Sequence, residues 1–370
     1  MNNKKNILFI IDTMGGGGAE KAFLEIVNRL DRSIFNISIL LYTKTGEHLD
    51  KLPSHITQYS IYHTQPNSLP SRIIRKVRHI SKFDTWKAKW ILRNQQFDTI
   101  VSFMEGPPAM IHAHILNKAQ RNITWLHTDI TKFTWDKKYI SFNQKIKFFN
   151  NVDLIAACGK DIIDNLMLIY NIHTPTIIIP NIVDKEHITH LSIQETIEKQ
   201  KFTLCGVGRL IECKHWERAI RAIALLKEQA IDCDLWIIGQ GPLCSHLKKL
   251  TTTLSIEDNV NFLGFKQNPY PYFKTADFSI ITSDVEGMPL TLIESSILQT
   301  PVITTKCSHV TKEYSSTTGL DVDFTAESIV EKIKFLLSNP QIMEHIQTKS
   351  ELFADEFTPE KIINKITSIL

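Results

Sequence analysis

The sequence predicts two doubly wound α/β domains carried on one chain, and three observations lead there. The chain has 370 residues, enough for two domains of ordinary size, each able to bury its own core. Short apolar runs alternate with segments of helical period, first from Ile7 and again from Phe202, as parallel strands with crossover helices require. Four glycines, Gly15 to Gly18, follow the first apolar run after three intervening residues, where α/β folds bring backbone close to a ligand.

The elements follow in order. Polar residues Met1 to Lys5 lead into Ile7–Ile11, an apolar run too short for a signal-peptide core and without a cleavage site, so it reads as the first strand. A helix over Lys21–Leu30 and a strand over Ile37–Tyr42 come next, with further strands at Thr99–Phe103 and Ile123–His127. Ile179-Pro180-Asn181 closes another strand, and the polar stretch Lys185–Lys201 reads as a linker with at most a short helix, which puts a hinge in this segment. The rhythm then restarts: a strand at Phe202–Val207, a helix over Glu217–Glu228, and strands at Asp234–Gly239, Val260–Gly264, Phe278–Thr282 and Val302–Thr304. Apolar Ile362, Ile363, Ile366 and Ile369 mark a closing amphipathic helix over Thr358–Leu370. The expected domains are residues 1–182 and 183–355, with 356–370 as the closing helix. No apolar run approaches the ~18 residues of a membrane span.

Composition narrows the class. With 43% hydrophobic and 22% charged residues, 14 Gly and 14 Pro, the chain is not collagen-like, disordered or coiled-coil. Cys158, Cys205, Cys213, Cys233, Cys244 and Cys307 contain no Cys-x-x-Cys pair, so they are expected to be reduced thiols of a cytoplasmic protein.

Charge is distributed unevenly. Residues 1–180 hold 23 Lys and Arg against 14 Asp and Glu, a net +9, while the remainder carries −6. Arg72, Arg75, Lys76, Arg78, Lys82, Lys87, Lys89 and Arg93 surround Ile73, Ile74, Val77, Ile80, Phe83, Trp86 and Trp90 at largely helical spacing, with only Asp84 opposing them. A second basic and aromatic stretch holds Lys132, Phe133, Trp135, Lys137, Lys138, Tyr139, Phe142, Lys145, Lys147, Phe148 and Phe149. Lysines near anionic head groups contribute about 1 kcal/mol each and interfacial aromatics add apolar burial. An anionic membrane surface is therefore one expected partner, with a peripheral location on the inner face of the cell membrane; ordinary core residues beside solvated lysines are the alternative. Nucleic acid is not expected, because no recognition motif accompanies the charge.

Several residues carry candidate chemistry. The glycine turn before Ala19-Glu20 lets backbone and helix N–H groups approach a phosphate, and Gly16 and Gly17 are the expected donor contacts, Gly18 the acceptor-side one. A dinucleotide fingerprint is disfavoured: the third small position is filled by Glu20 or Lys21, and the second strand ends Leu41-Tyr42-Thr43 without an acid. A simple tight turn is the alternative. Arg209 and Lys214 leave a strand five positions apart, so two cations could converge on one diphosphate, although such a pair alone is usually a solvated loop. Pro289 suits a helix's first turn, leaving the amides of Gly287, Met288 and Leu290 near the positive end of its dipole. Glu294 lies where a carboxylate can accept two ribose hydroxyls, and Glu286, ahead of the helix, is free to face a sugar. Glu105 ends a strand in Ser102-Phe103-Met104-Glu105-Gly106 and is an acceptor-side candidate, with simple lining of the site as its alternative. No metal is expected: His112 and His114 diverge on a helix, and the pairs Asp232/Asp234 and Asp321/Asp323 read as polar turns.

With these motifs in place, the whole chain resembles the family-4 retaining glycosyltransferases of the GT-B fold, in which two Rossmann-like domains face each other across a cleft holding a nucleotide sugar. The resemblance rests on the glycine turn before Ala19-Glu20, on Arg209 and Lys214, on Gly239-Gln240-Gly241-Pro242, and on Glu286 and Glu294; Asn181 and Asp184 fit the interdomain segment. It implies that Arg209 and Lys214 bind the donor diphosphate, that Glu294 binds the ribose, that Glu286 lies by the transferred sugar, and that His127 is an active-site histidine. It also implies a retaining, metal-independent transfer from a nucleoside-diphosphate sugar, UDP-sugar being favoured. The acceptor expected is a polyprenyl-diphosphate- or lipid-linked glycan of a bacterial surface polysaccharide or lipopolysaccharide. Two positions depart from the family, His215 and Gln299, each standing where glycine is common. A nucleotide-sugar epimerase, a phosphorylase and a non-catalytic sugar-nucleotide-binding protein are the rival readings.

Overall fold

The computed structural model describes residues 4–63, 82–131 and 141–370. The basic residues Arg72, Arg75, Lys76 and Arg78 and most of the second basic stretch, Lys132 to Tyr139, lie outside them. Two compact units form. One comprises Met1–Ile182 with Glu360–Leu370, the other Val183–Pro359.

The first unit is built on a seven-stranded sheet in which every described pairing is parallel. Its elements are β1 (Lys5–Ile11), α1 (Gly18–Arg29), β2 (Phe35–Thr43), β3 (Thr57–Tyr62), α2 (Lys82–Ile91), β4 (Phe97–Ser102), α3 (Pro107–His112), β5 (Ala119–Leu126), α4 (Phe142–Phe149), β6 (Leu154–Ala157), α5 (Lys160–Ile169) and β7 (Thr176–Ile178). The order β3-β2-β1-β4-β5-β6-β7 reverses between β1 and β4, where α/β sheets open a crevice at their carboxyl ends. Strands sandwiched by helices are apolar on both faces, which is why Ile7 through Ile11 are all fully buried. Inside this unit, His112 is a buried structural residue: its Nδ1 lies 3.0 Å from Ser102 Oγ and its Nε2 3.0 Å from Asn122 Oδ1. Burial lowers its pKa to about 4, while His114 turns to the Met110 carbonyl.

The second unit holds a six-stranded parallel sheet, order β10-β9-β8-β11-β12-β13. Helix α6 (Lys185–Ser192) precedes β8 (Phe202–Val207); then come α7 (Trp216–Glu228), β9 (Cys233–Ile238), α8 (Cys244–Thr253), β10 (Val260–Gly264), α9 (Tyr270–Thr275), β11 (Phe278–Ile281), α10 (Leu290–Ile297), β12 (Val302–Thr305), α11 (His309–Thr318), β13 (Asp321–Val322), α12 (Ala326–Ser338) and α13 (Met343–Ala354). The first part of the expected linker is thus a helix, α6, because Asp184 caps it by accepting from the His187 N–H at 2.8 Å. The closing helix α14 (Pro359–Ile369) packs back on the first unit, and the Leu370 carbonyl accepts from Thr99 Oγ1 at 2.8 Å.

Candidate functional site

In the second unit the sheet order reverses between β8 and β11, and the polar residues gather at the carboxyl ends of these strands. After β8 the chain makes a tight loop through Gly208 to His215. A Cβ on Gly206 would strike the ring of Trp216, whose indole Nε1 donates to the Arg209 carbonyl at 3.1 Å. From the other side, the Gly239-Gln240-Gly241 turn supports the loop. Leu210 N–H donates to the Gln240 carbonyl at 2.9 Å, and Leu243 N–H donates to the Leu210 carbonyl at 3.1 Å. Gly239 has φ +145°, and a Cβ there would collide with the Gly208 carbonyl; a Cβ on Gly241 would collide with the backbone of Leu210. These glycines let two backbone segments touch, so the Arg209 backbone is fixed while its side chain is exposed.

Lys214 and Glu286 come together as an ion pair. Ser283 Oγ donates to the same carboxylate oxygen at 2.7 Å, and Thr282 Oγ1 donates to the Lys214 carbonyl at 2.8 Å. With Val207, Trp216 and Thr291 they line a small hollow at the strand ends. Pro289 is the N-cap of α10 rather than part of its first turn, and Gly287, Met288, Pro289 and Leu290 are all buried. Glu294 lies on α10, 4% exposed, with the Tyr270 hydroxyl 3.5 Å from its Oε1. Ser283 and Tyr270 were not singled out from the sequence; the position of Ser283 just past the end of β11, three residues before Glu286, is the signal that could have found it.

Both departures from the family's glycines are left-handed: His215 has φ 46° and Gln299 φ 58°. Each side chain has found a polar partner. His215 Nε2 lies 2.6 Å from Asp284 Oδ2, and Gln299 Nε2 donates to Glu351 Oε2 at 2.7 Å. The acidic pairs read as polar turns are engaged with lysines, Asp232 and Asp234 with Lys201 and Asp321 with Lys306.

In the first unit, the carboxyl ends of the neighbouring strands β1, β4 and β5 carry the glycine turn, Glu105 and His127. Gly17 is the N-cap of α1, Gly16 and Gly18 are exposed, and the Glu20 carboxylate folds back against Gly15 and Gly17. An anionic group of the chain itself therefore lies along part of the turn. Glu105 accepts from the His127 N–H at 3.0 Å and from the Thr128 hydroxyl, and burial raises its pKa. Cys158 Sγ donates to the His127 carbonyl at 3.6 Å. The imidazole lies 4.5 Å from the Phe103 ring and stacks 6.0 Å from Trp125; among the described residues neither ring nitrogen has a hydrogen-bond partner. Burial pushes its pKa down to about 3, so the ring is neutral at physiological pH, with one N–H to donate and one lone pair to accept.

Two parallel α/β units, each with its polar groups collected at strand carboxyl ends, are those of a GT-B glycosyltransferase. The chain belongs to the glycosyltransferases: residues 16–187 match the family described as Glycosyltransferase Family 4, and residues 188–352 that described as Glycosyl transferases group 1. It is 24% identical to an uncharacterized glycosyltransferase of Haemophilus influenzae, over 99% of this chain and 100% of that one. It is 27% identical, over 95% of each chain, to the N-acetylgalactosamine-N,N'-diacetylbacillosaminyl-diphospho-undecaprenol 4-alpha-N-acetylgalactosaminyltransferase of Campylobacter jejuni. Among solved structures it resembles Anabaena HepE in complex with UDP, with a TM-score of 0.76, 16% identity and 98% of each chain covered.

Proposed function

We propose that this glycosyltransferase moves a sugar from a nucleoside-diphosphate sugar, UDP-sugar in the first place, to a hydroxyl of a polyprenyl-diphosphate- or lipid-linked glycan, with retention at the anomeric carbon and without a metal ion. The observation that carries this reading is the Lys214, Glu286 and Ser283 cluster beside the exposed Arg209. As the bond from the anomeric carbon to the diphosphate breaks, negative charge grows on the leaving oxygen, and fixed cations there favour the transition state directly. Arg209 and Lys214 supply that charge, Glu294 accepts from the ribose hydroxyls, and His127 contacts the transferred sugar. The acceptor oxygen bonds to the anomeric carbon while its proton passes to the departing diphosphate. The UDP of the Anabaena structure supports the nucleotide, and the diphospho-undecaprenol named for the Campylobacter relative supports the acceptor class.

An anionic membrane surface is part of the same proposal. Asp84, the acid opposing the basic stretch, is fully buried and accepts from the Tyr42 and Tyr62 hydroxyls. Phe83, Trp86 and Trp90 on α2 are 55%, 58% and 53% exposed, and the Arg93 guanidinium lies 4.5 Å over the Trp90 ring. No helix among the described residues is long and apolar enough to cross a membrane.

The test is a panel of UDP-, GDP-, ADP- and dTDP-sugars, read by thermal stabilisation and by nucleoside-diphosphate release with an undecaprenyl-diphosphate-linked glycan. The expected product keeps the donor's anomeric configuration by NMR. Conversion of the donor without any acceptor would favour the epimerase reading, and stabilisation by none of the donors would remove the proposal.

A further inference from the structure

The two loops that carry Lys214 and Glu286 are tied together outside the polar cluster itself. Asp284 N–H donates to the Cys213 carbonyl at 3.0 Å. Its carboxylate lies between two side chains of the other loop and the helix after it: His215 Nε2 is 2.6 Å from Oδ2, and Arg218 Nη1 is 2.7 Å from Oδ1. The same Arg218 nitrogen donates to the Thr282 carbonyl at 2.8 Å. His215 is left-handed, a conformation that costs an ordinary L-residue but not glycine. A chain needing only the turn would have glycine there. Here an imidazole stands at the strained position and reaches the opposite loop.

We propose that His215 and Asp284, with Arg218, form a brace that sets the spacing between the Arg209–Lys214 loop and the Ser283–Glu286 loop, and thereby the fit of a nucleoside diphosphate. His215 is thus a positioning residue: it acts through Lys214, its chain neighbour, and through Asp284, two residues before Glu286. The brace fixes the loops before ligand arrives, so the ordering cost is met in folding rather than in binding. The inference rests on the reading that this unit binds a nucleoside diphosphate.

The experiment compares H215G, H215Q, D284N and the H215G/D284N double variant, with the tightest binder for the wild type among UDP, GDP, ADP and dTDP as probe. H215G keeps the backbone conformation and removes the brace; H215Q keeps both, because the glutamine amide nitrogen reaches the place of the imidazole Nε2 and donates to a carboxylate, and glutamine already stands left-handed at Gln299. H215G and D284N are each expected to weaken the diphosphate about tenfold by calorimetry and to raise donor KM, with acceptor KM unchanged. H215Q should bind within about twofold of wild type, and the double variant no worse than either single one, as for two members of one interaction. H215G binding as wild type, or losses in H215G and D284N that multiply, would overturn the brace. If H215G does not fold, D284N alone decides: wild-type affinity in it overturns the proposal. A wild type that binds none of the four diphosphates would bring down the underlying donor-site reading as well, whereas wild-type binding with indifferent variants removes only the brace.

Discussion

Lys214 Nζ and Glu286 Oε1 are ion-paired within the second unit, and the Ser283 hydroxyl holds the same oxygen. The cation assigned to the donor diphosphate and the carboxylate assigned to its sugar thus occupy each other. Their side chains are 23% and 14% exposed, too buried for the pairing to be the weak interaction of a free surface. On the proposed function, a diphosphate would have to compete with Glu286 for Lys214.

That competition has a measurable consequence. Glu286→Gln removes the charge that holds Lys214, so nucleoside diphosphate should bind about three- to tenfold more tightly while turnover falls, a gain in product binding without a gain in catalysis. Calorimetry with UDP alongside steady-state kinetics checks both directions. Weaker UDP binding in this variant would mean that the carboxylate helps hold the nucleotide.

Lys214 and Glu294 should fail differently. Lys214→Ala removes charge that matters most as the leaving group departs, so kcat should fall by roughly two orders of magnitude, about 3 kcal/mol. Glu294→Ala removes an acceptor that acts in ground and transition states alike, so donor KM should rise with a smaller change in kcat. Because Glu294 is buried beside Tyr270, Tyr270→Phe should give a weaker form of the same KM effect. Equal kcat losses in the Lys214 and Glu294 variants would refute the division of roles.

Gly241 tests whether the Arg209 loop depends on its support. Alanine there would push its Cβ into the Leu210 backbone, and overpacking of this kind costs about 1–3 kcal/mol. Urea denaturation should register that loss, and donor affinity should drop with it because Arg209 adjoins Leu210. A stable Gly241→Ala with full affinity would show that the turn has room to yield.

What the sequence disclosed, and what it withheld, follows from the kind of signal each feature leaves. The first strand is legible because buried parallel strands are continuous apolar runs, and Ile7 through Ile11 are all fully buried. The strand Thr57–Tyr62 carries a mixed sequence at the sheet's edge and leaves no such trace. Glycines at Gly15 to Gly18 signal close backbone approach, but the signal is the same whether the visitor is a phosphate or, as at Gly17, the chain's own Glu20. Glu105 reads as a carboxylate at a strand end; that its oxygens turn inward to the His127 amide and the Thr128 hydroxyl depends on adjacency of β4 and β5. His215 and Gln299 stand out only against the family's glycines, and their left-handed φ values give the physical reason for that preference.

The exposed aromatic stripe of α2 predicts membrane affinity of a definite character. Replacing Phe83, Trp86 and Trp90 together by serine should reduce partition into anionic phosphatidylserine vesicles at least tenfold, and salt should release the wild type because Lys87, Lys89 and Arg93 flank the stripe. Sedimentation with vesicles at low and high salt reads both effects. Equal partition into neutral phosphatidylcholine vesicles would contradict an electrostatic contribution.

Asp12, at the carboxyl end of β1, supplies a pH test. Burial raises its pKa from the ordinary 3.8 to about 6, so between these values the native state holds more protons than the unfolded chain. Stability is then greatest below the unfolded pKa and declines as pH rises through about 6. Two pKa units correspond to about 3 kcal/mol, and with Asp12 half-buried about 1–2 kcal/mol is the reasonable share. Asp12→Asn carries no charge at any pH, so the stability of this variant relative to wild type should increase by that amount between pH 4 and pH 8. Urea denaturation of both proteins across this range isolates the Asp12 contribution from every other titrating group; a difference independent of pH would mean that Asp12 is charged and solvated in the folded protein.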